Sequence, residues 1–198
     1  LASFPNADGR TRWQEVRAGD YGWNWRGGGQ ILFEAPGRGV PLTAVTMRFD
    51  RLSGHQFVHA RIVPKAEAGM QSAGMAAAVG ATLTLLLVSC IYSLSLAFAV
   101  RRQYPAWQAA WSGTMLLWGA LWSQVHLALV SGLAGTVTTQ ICTFLSCLAI
   151  ALATVSAGTA VDRGRVAKWL RTTVLVFGVG VGIAGVPLAL IRDDSLGP

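Results

Sequence analysis

Two histidines, His55 and His59, come closest to a metal-ligand pair in this chain. On a strand both side chains would point to one face, too far apart for one tetrahedral ion without a third ligand between them. No cysteine or clear carboxylate cluster accompanies them in the sequence. The spacing therefore favours histidines on a surface or a sheet face, with a ligand or metal contact as the alternative.

His126 is a different case, because it lies inside a long apolar stretch with Ser123 and Gln124 nearby. An ionisable group within a membrane span is a candidate functional residue by default. Near the outer end of its span, a neutral imidazole can also reach the interface or bond to a neighbouring helix. We therefore regard His126 and Gln124 as candidates for signal or ligand coupling, with structural hydrogen bonding as the commoner role.

Four tryptophans spaced 4, 7 and 4 residues apart form one stripe along a helix: Trp107, Trp111, Trp118 and Trp122. Such a stripe could line a cavity for sugars or aromatic ligands, although it more often faces lipid or another helix. Trp118 and Trp122 lie closest to His126 and are the candidate ligand-coupling pair. Opposite them we expect a seam of small and polar residues at Thr139, Thr143, Ser146, Ala153 and Ala157.

Residues 180–185, GVGIAG, match the spelling G-x-G-x-x-G of dinucleotide-binding loops. That fingerprint needs a preceding strand, a βαβ unit and an acidic residue about 20 positions further on. Here the motif lies inside an apolar run, and Gly178, Gly182 and Gly185 recur at helical spacing. The pattern indicates the surface of small residues through which membrane helices approach each other closely.

Neither a catalytic nor a redox centre is indicated. The three cysteines, Cys90, Cys142 and Cys147, form no C-x-x-C motif and lie in apolar stretches, which favours packing roles. Those stretches hold no carboxylate, no lysine and one histidine, too little for a nucleophile–base set. We expect no enzymatic activity, cofactor or metal in this chain.

The elements that hold these residues are indicated by where charge is missing. Asp, Glu, Lys and Arg are absent from residues 68–100, 103–161 and 172–191. A membrane-spanning helix needs about 20 apolar residues, so the middle run can hold two. The chain is 53% hydrophobic and 13% charged, as suits a lipid environment. We predict an α-helical membrane bundle in residues 67–198, with four transmembrane helices over about residues 70–100, 105–130, 135–161 and 172–191.

The cations indicate the orientation. Connections between successive spans alternate sides, so the first and third loops share one side, and the second loop has no charge. Short loops rich in Lys and Arg stay cytoplasmic. We therefore predict a multi-pass membrane protein whose first and third loops are cytoplasmic, and we assign its net charge of +7 to topology rather than to nucleic-acid binding. The predicted topology anchors are Arg101, Arg102, Arg163, Arg165, Lys168 and Arg171.

Residues 1–66 have a different composition, rich in Gly, Arg and Trp, and residues 42–49 alternate with a period of two. We predict an extracytoplasmic β-sheet of three to five strands, with strands over residues 12–17, 30–34, 42–49 and 56–63. It is expected to be the C-terminal part of a larger sensor sandwich. The missing initiator Met and the absence of an export signal suggest a piece of a longer protein.

This arrangement resembles the seven-transmembrane receptors with diverse intracellular signalling modules. The matching residues are Tyr92-Ser-Leu-Ser-Leu-Ala late in the first span, then Arg102-Gln-Tyr104 and Trp107. The resemblance covers about residues 66–130, and elsewhere only the pattern of spans. It implies a sensory N-terminal domain for small, often carbohydrate-like ligands and a cytoplasmic diguanylate cyclase or histidine kinase module, which this sequence does not contain.

We therefore expect a receptor fragment that relays an extracytoplasmic signal through its transmembrane helices. Its expected partners are the lipid bilayer, an unknown small molecule or periplasmic protein, and a second copy in a homodimer. The alternatives are part of a multi-span transporter or channel, or a plain membrane anchor. A polar midplane cavity or hydrated path would favour transport. A sheet packed on the outer loops, with continuous spans, would favour the receptor.

Overall fold

A computed structural model of the chain describes residues 2–5, 11–16, 24–26, 30–35, 45–48, 60–128, 136–161 and 167–194. Within them the dominant elements are four α-helices, followed along the chain as α1 (Lys65–Val100), α2 (Gln103–Trp122), α3 (Thr136–Ala160) and α4 (Lys168–Asp194). A short 3-10 helix, Val125–Ala128, follows α2. Three helices are long and apolar enough to cross a membrane: Lys65–Val100, Val137–Ala160 and Lys168–Ile191.

The prediction of four apolar spans is corrected at α2. This helix has 20 residues, a length of about 30 Å, which matches a bilayer core. It has a smaller share of aliphatic side chains than the other three, because four tryptophans, Tyr104, Pro105 and two glutamines take their place. Of its polar groups, Ser112 and Thr114 are buried in the layer and Gln108 is half-buried, whereas Gln103 is exposed at the start of the helix.

Helix α2 also ends at Trp122, well before the predicted end at residue 130. The Ser123 hydroxyl donates a hydrogen bond of 2.6 Å to the Gly119 carbonyl. Gln124 then takes a left-handed conformation with φ 61°, which turns the chain out of the helix. The 3-10 helix begins directly afterwards, so residues 123–128 form a compact turn instead of a further helical turn and a half.

The helices pack as a row of antiparallel neighbours. Each helix has its main contacts with the next one along the chain, and among the described residues α1 and α4 have no comparable contact with each other. Between α1 and α2, the Cys90 thiol lies 3.5 Å from the Ala109 carbonyl. Between α2 and α3, the Ser156 hydroxyl donates to Gln108 Oε1 at 3.1 Å. The predicted bundle is therefore an open layer of four helices, with α2 and α3 in the middle.

Helix α4 packs on α3 through a continuous stripe of small residues. A Cβ atom added to Gly182 would lie 2.8 Å from the Ala151 Cβ, and one added to Gly185 would lie 2.5 Å from the Cys147 Cβ. At Gly178 it would overlap the Thr154 side chain. The prediction that these glycines form a close-packing surface is confirmed, and the G-x-G-x-x-G spelling lies within a helix.

The outward faces are apolar, as lipid contact requires. Phe177, Ile183 and Val176 are among the most exposed large side chains of α4, and Leu85 and Phe98 are similarly exposed on α1. Pro187 lies inside α4, and the helix continues to Asp194.

The first interhelical loop consists of Arg101 and Arg102. Arg101 is left-handed, with φ 52°, and its N–H bonds to the Ala97 carbonyl to close α1. Arg102 is extended and begins α2. Since neighbouring helices are antiparallel, these two arginines lie at the same end of the layer as Lys168 and Arg171 at the start of α4.

The described part of residues 1–66 contains five short strands in two ladders. They are β1 (Ala2–Pro5), β2 (Thr11–Gln14), β3 (Trp25–Arg26), β4 (Gln30–Ile31) and β5 (Thr46–Met47). β1 pairs antiparallel with β2 and with β5, and β3 pairs antiparallel with β4. These ladders are too short to form the predicted half-sandwich, because two to four residues bury little apolar area.

Other strand predictions meet mixed outcomes. β1 and β3 were not predicted, and no strand occurs in residues 60–63. Residues 56–59, with His59, and His55 lie outside the described residues. The described strands do not pack on the helices. An ion pair of 3.3 Å joins Lys65 at the start of α1 to Glu34, which follows β4, and it is solvent-exposed and therefore weak.

The glycine interface gives a first prediction. Gly182→Ala should destabilise the α3–α4 pair by about 1–3 kcal/mol, because the new methyl group meets the Ala151 Cβ and the helices must separate. Gly180→Ala is the matched control, since an added Cβ there has no neighbour within 4 Å. Thermal unfolding of both variants in the same detergent measures the difference. Equal melting temperatures would contradict the close-packed interface.

Candidate functional site, a cavity between helices α2 and α3

A cavity of about 370 Å³ lies between the end of α2 and the first turns of α3. This volume falls in the range of small-molecule sites. Its described lining comes from two short segments of the chain, and none of these lining residues has a charged side chain. The lining residues are Trp118, Leu121, Trp122, Gln124, Thr138, Thr139, Cys142, Thr143 and Ser146.

The α2 side of the cavity is apolar and flat. Trp118 and Trp122 are one helical turn apart, and their rings stack with centroids 6.0 Å apart and planes 14° apart. Stacking fixes both rings relative to each other, so they provide a preformed aromatic wall. Of the predicted tryptophan stripe, the structure brings these two residues to the cavity, whereas Trp107 is exposed at the opposite end of α2.

Gln124 supplies an unsatisfied polar atom. Its Oε1 is buried and accepts no hydrogen bond from the described residues. A buried acceptor without a partner costs about 1–3 kcal/mol, so such atoms are uncommon in folded proteins. The left-handed backbone at Gln124 sets its position, because the chain leaves the α2 axis at this residue. The orphaned carbonyl and the cavity therefore depend on the same turn.

The α3 side of the cavity is polar but has few free protons. The Thr143 hydroxyl donates to the Thr139 carbonyl at 2.9 Å, and the Ser146 hydroxyl donates to the Thr143 carbonyl at 2.8 Å. Both protons are used within α3, as is common for Ser and Thr in helices. The hydroxyl oxygens of this wall thus offer lone pairs more readily than protons.

The cavity is closed towards the opposite end of the layer. Ser146 lies about 15 Å along α3 from Thr136, roughly half the thickness of a bilayer core. Beyond it, Ala149 is 5% exposed and Ser156 is 3% exposed, and Ser112 on α2 is fully buried. The two helices therefore diverge around the cavity and meet tightly beyond it, at the hydrogen bond from Ser156 to Gln108.

His126 lies beside the cavity rather than in its lining. Its Nδ1 atom is 3.3 Å from the Ala120 carbonyl, so the imidazole bonds to the last turn of α2. This contact is of the structural kind, and it joins the 3-10 helix to α2. Among the four candidate coupling residues, the structure brings together Trp118, Trp122 and Gln124, with His126 as their neighbour.

The candidate topology anchors are partly described. Arg101 and Arg102 are exposed, Lys168 is exposed, and Arg171 is half-buried. Trp107 and Trp169 are exposed near the same end, where amphipathic rings settle at a membrane interface. Arg163 and Arg165 lie outside the described residues.

Sequence reasoning missed two features of this region. Thr138 and Cys142 also line the cavity, each beside a residue of the predicted polar seam. Gln108 and Ser156 form the interhelical bond where the seam was expected to continue through Ala153 and Ala157. A signal was available for Gln108, since an amide within an apolar run needs a partner.

Comparisons with known proteins give no match: no family model, no curated protein and no solved structure resembles this chain significantly.

The interhelical bond gives a second prediction. Ser156→Ala should lower the free energy of unfolding by about 0.6–2 kcal/mol, because Gln108 Oε1 loses its donor inside the layer. Ser95→Ala is the matched control, since Ser95 is exposed and bonds only to the Ile91 carbonyl of its own helix. Thermal unfolding of a cycle with Gln108→Ala isolates the pair energy. Additive effects of Ser156→Ala and Gln108→Ala would mean that the two side chains do not interact.

Proposed function

We propose that this chain is the transmembrane part of a bacterial sensory receptor, which relays an extracytoplasmic stimulus through its helices to a cytoplasmic effector. The observation that carries the proposal is the cavity, preformed on one side of the layer and closed on the other. A pocket that is open at one end and bounded by packed helices at the other suits recognition, because an occupant can enter and leave from one side. A transport path needs an opening beyond Ser146, where the described helices are in close contact.

The packing on either side of the cavity supports a relay. Helices α3 and α4 share a tight glycine interface, so they move most easily as one unit. Helices α2 and α3 are joined by the Gln108–Ser156 bond at the end away from the cavity. An occupant that separates the cavity walls would tilt the α3–α4 pair about this bond. The tilt would reach the arginine-bearing ends, where an effector would receive it.

The orientation belongs to the same proposal. We place the ends with Arg101, Arg102, Lys168 and Arg171 in the cytoplasm and the cavity in the outer half of an inner membrane, since short basic loops stay inside. Residues 1–66 are then periplasmic. The effector of the proposal is a diguanylate cyclase or a histidine kinase, as the resemblance in residues 66–130 implies.

Two alternative functions remain as outcomes of the tests. The polar α3 wall of the cavity favours a segment of a transporter or channel. The described strands, which do not pack on the helices, favour a plain membrane anchor for an effector. The receptor proposal differs from both because it requires that binding in the cavity moves the cytoplasmic ends of the helices.

Reporter insertions test the orientation. Alkaline phosphatase inserted within residues 131–135 should be active, and the same insertion within residues 163–166 should be inactive, because the enzyme folds only outside the cytoplasm. Replacing the six predicted anchors by Gln should reduce the difference in alkaline phosphatase activity between the two insertion sites. Activity at residues 163–166 and none at residues 131–135 would reverse the orientation and place the cavity on the cytoplasmic side.

The coding region around residues 1–198 tests the function class. We expect three further spans followed by a cyclase or kinase domain, because the resemblance implies seven spans and a soluble output. Reading the genomic sequence on both sides of this segment measures it directly. Many further spans without a soluble output domain would contradict the receptor and favour transport. An output domain attached after α4 without further spans would favour the anchor.

A further inference from the structure

The ligand class of the cavity can be inferred from its walls, and this inference rests on the proposed function as a receptor. We propose that the cavity between α2 and α3 binds a small, neutral, planar molecule that carries an N–H or O–H donor. Three observations support this choice: the charge of the lining, its hydrogen-bonding capacity and the shape of its aromatic wall.

The lining selects a neutral ligand. None of the described side chains that line the cavity carries a charge at neutral pH. An ion in this part of the membrane would have no counter-charge from the lining, and the burial of an unpaired charge is strongly unfavourable. Carboxylates, phosphates and ammonium compounds are therefore poor occupants.

The lining also favours a ligand that carries a hydrogen-bond donor. Gln124 Oε1 is buried without a partner, and the protons of Thr143 and Ser146 already bond within α3. A ligand with an N–H or O–H group can satisfy the Gln124 carbonyl, which removes the cost of an orphaned acceptor. A ligand with acceptors alone would leave that cost in place.

The aromatic wall selects a planar face. Trp118 and Trp122 are held nearly parallel, and Leu121 extends the same apolar side. Planar apolar faces stack on such rings, whereas the many hydroxyl groups of a sugar would exceed the polar partners on the α3 side. Indole is the simplest probe that combines a planar face, neutrality and one N–H donor.

The test compares indole with 1-methylindole, which keeps the ring system but has no donor. The full chain is placed in phosphatidylcholine nanodiscs, and each compound is titrated calorimetrically, with empty nanodiscs subtracted. We expect saturable indole binding and about 5-fold weaker binding of 1-methylindole, since one hydrogen bond to a buried acceptor is lost. This comparison needs no substitution in the protein.

Two variants locate the site. Gln124→Met keeps the side-chain length without an acceptor. It should lower the affinity for indole to that for 1-methylindole. Ser146→Leu fills the cavity and should abolish the binding of both compounds. The matched controls are Gln71→Met and Ser95→Leu, which change exposed residues of α1 and should leave binding unchanged.

Several outcomes would overturn the ligand class. Equal affinity for indole and 1-methylindole would remove the role of the Gln124 acceptor. No saturable signal above empty nanodiscs would exclude planar donors, and binding of glucose in place of indole would assign the cavity to sugars. Binding unchanged by Ser146→Leu would locate the site elsewhere.

Failure of this inference is distinguishable from failure of the receptor proposal. Indole binding tests only the ligand class of the cavity, whereas the neighbouring coding region shows whether an output domain is present. A neighbouring cyclase or kinase domain without indole binding would leave the receptor in place with another ligand. Indole binding in a chain followed only by further spans would keep the ligand class and contradict the receptor.

Discussion

Lipid cannot hydrogen-bond a peptide group, and the other features of this structure depend on that constraint. Within a bilayer every backbone N–H and carbonyl must find a partner in its own segment or in its immediate neighbours. Helices meet this requirement along Lys65–Val100, Val137–Ala160 and Lys168–Ile191. Where a helix ends, other groups must replace its bonds. At the end of α2 that task falls to the Ser123 hydroxyl and the backbone of the 3-10 helix.

The same constraint changes what holds the helices together. Large apolar side chains gain nothing by leaving lipid for protein, so they remain on the outside, as Phe177 and Ile183 do. Association then depends on close contact and on hydrogen bonds between helices. The glycines of α4 supply the contact, and the Gln108–Ser156 pair supplies the bond. The α3–α4 pair is consequently the firmest part of the layer, and the α2–α3 boundary combines one bond with one cavity.

The sequence predicts well what the bilayer itself selects. Runs without charge locate α1, α3 and α4 because a single ion in such a run is costly, and the glycine stripe follows from helical spacing alone. The early end of α2 was not predicted, because a left-handed Gln124 has no sequence signature comparable to Gly or Asn. The cavity was partly predicted, since Trp118 and the polar seam were identified separately. Whether these two groups come together depends on the register between α2 and α3, and neither segment determines that register by itself.

Helix α2 differs from its neighbours in a way that relates its composition to its position. A helix on the edge of the layer, such as α1, faces lipid on most sides and must be apolar. A helix between two others can carry Gln108, because Ser156 of α3 donates to its amide, while Ser112 and Thr114 donate to carbonyls of α2 itself. The same polar character lowers its affinity for the bilayer, so α2 is held by its neighbours more than by lipid. A helix retained in this way can shift when an interface beside it changes. This is the property that the proposed relay between the cavity and the arginine-bearing loop requires.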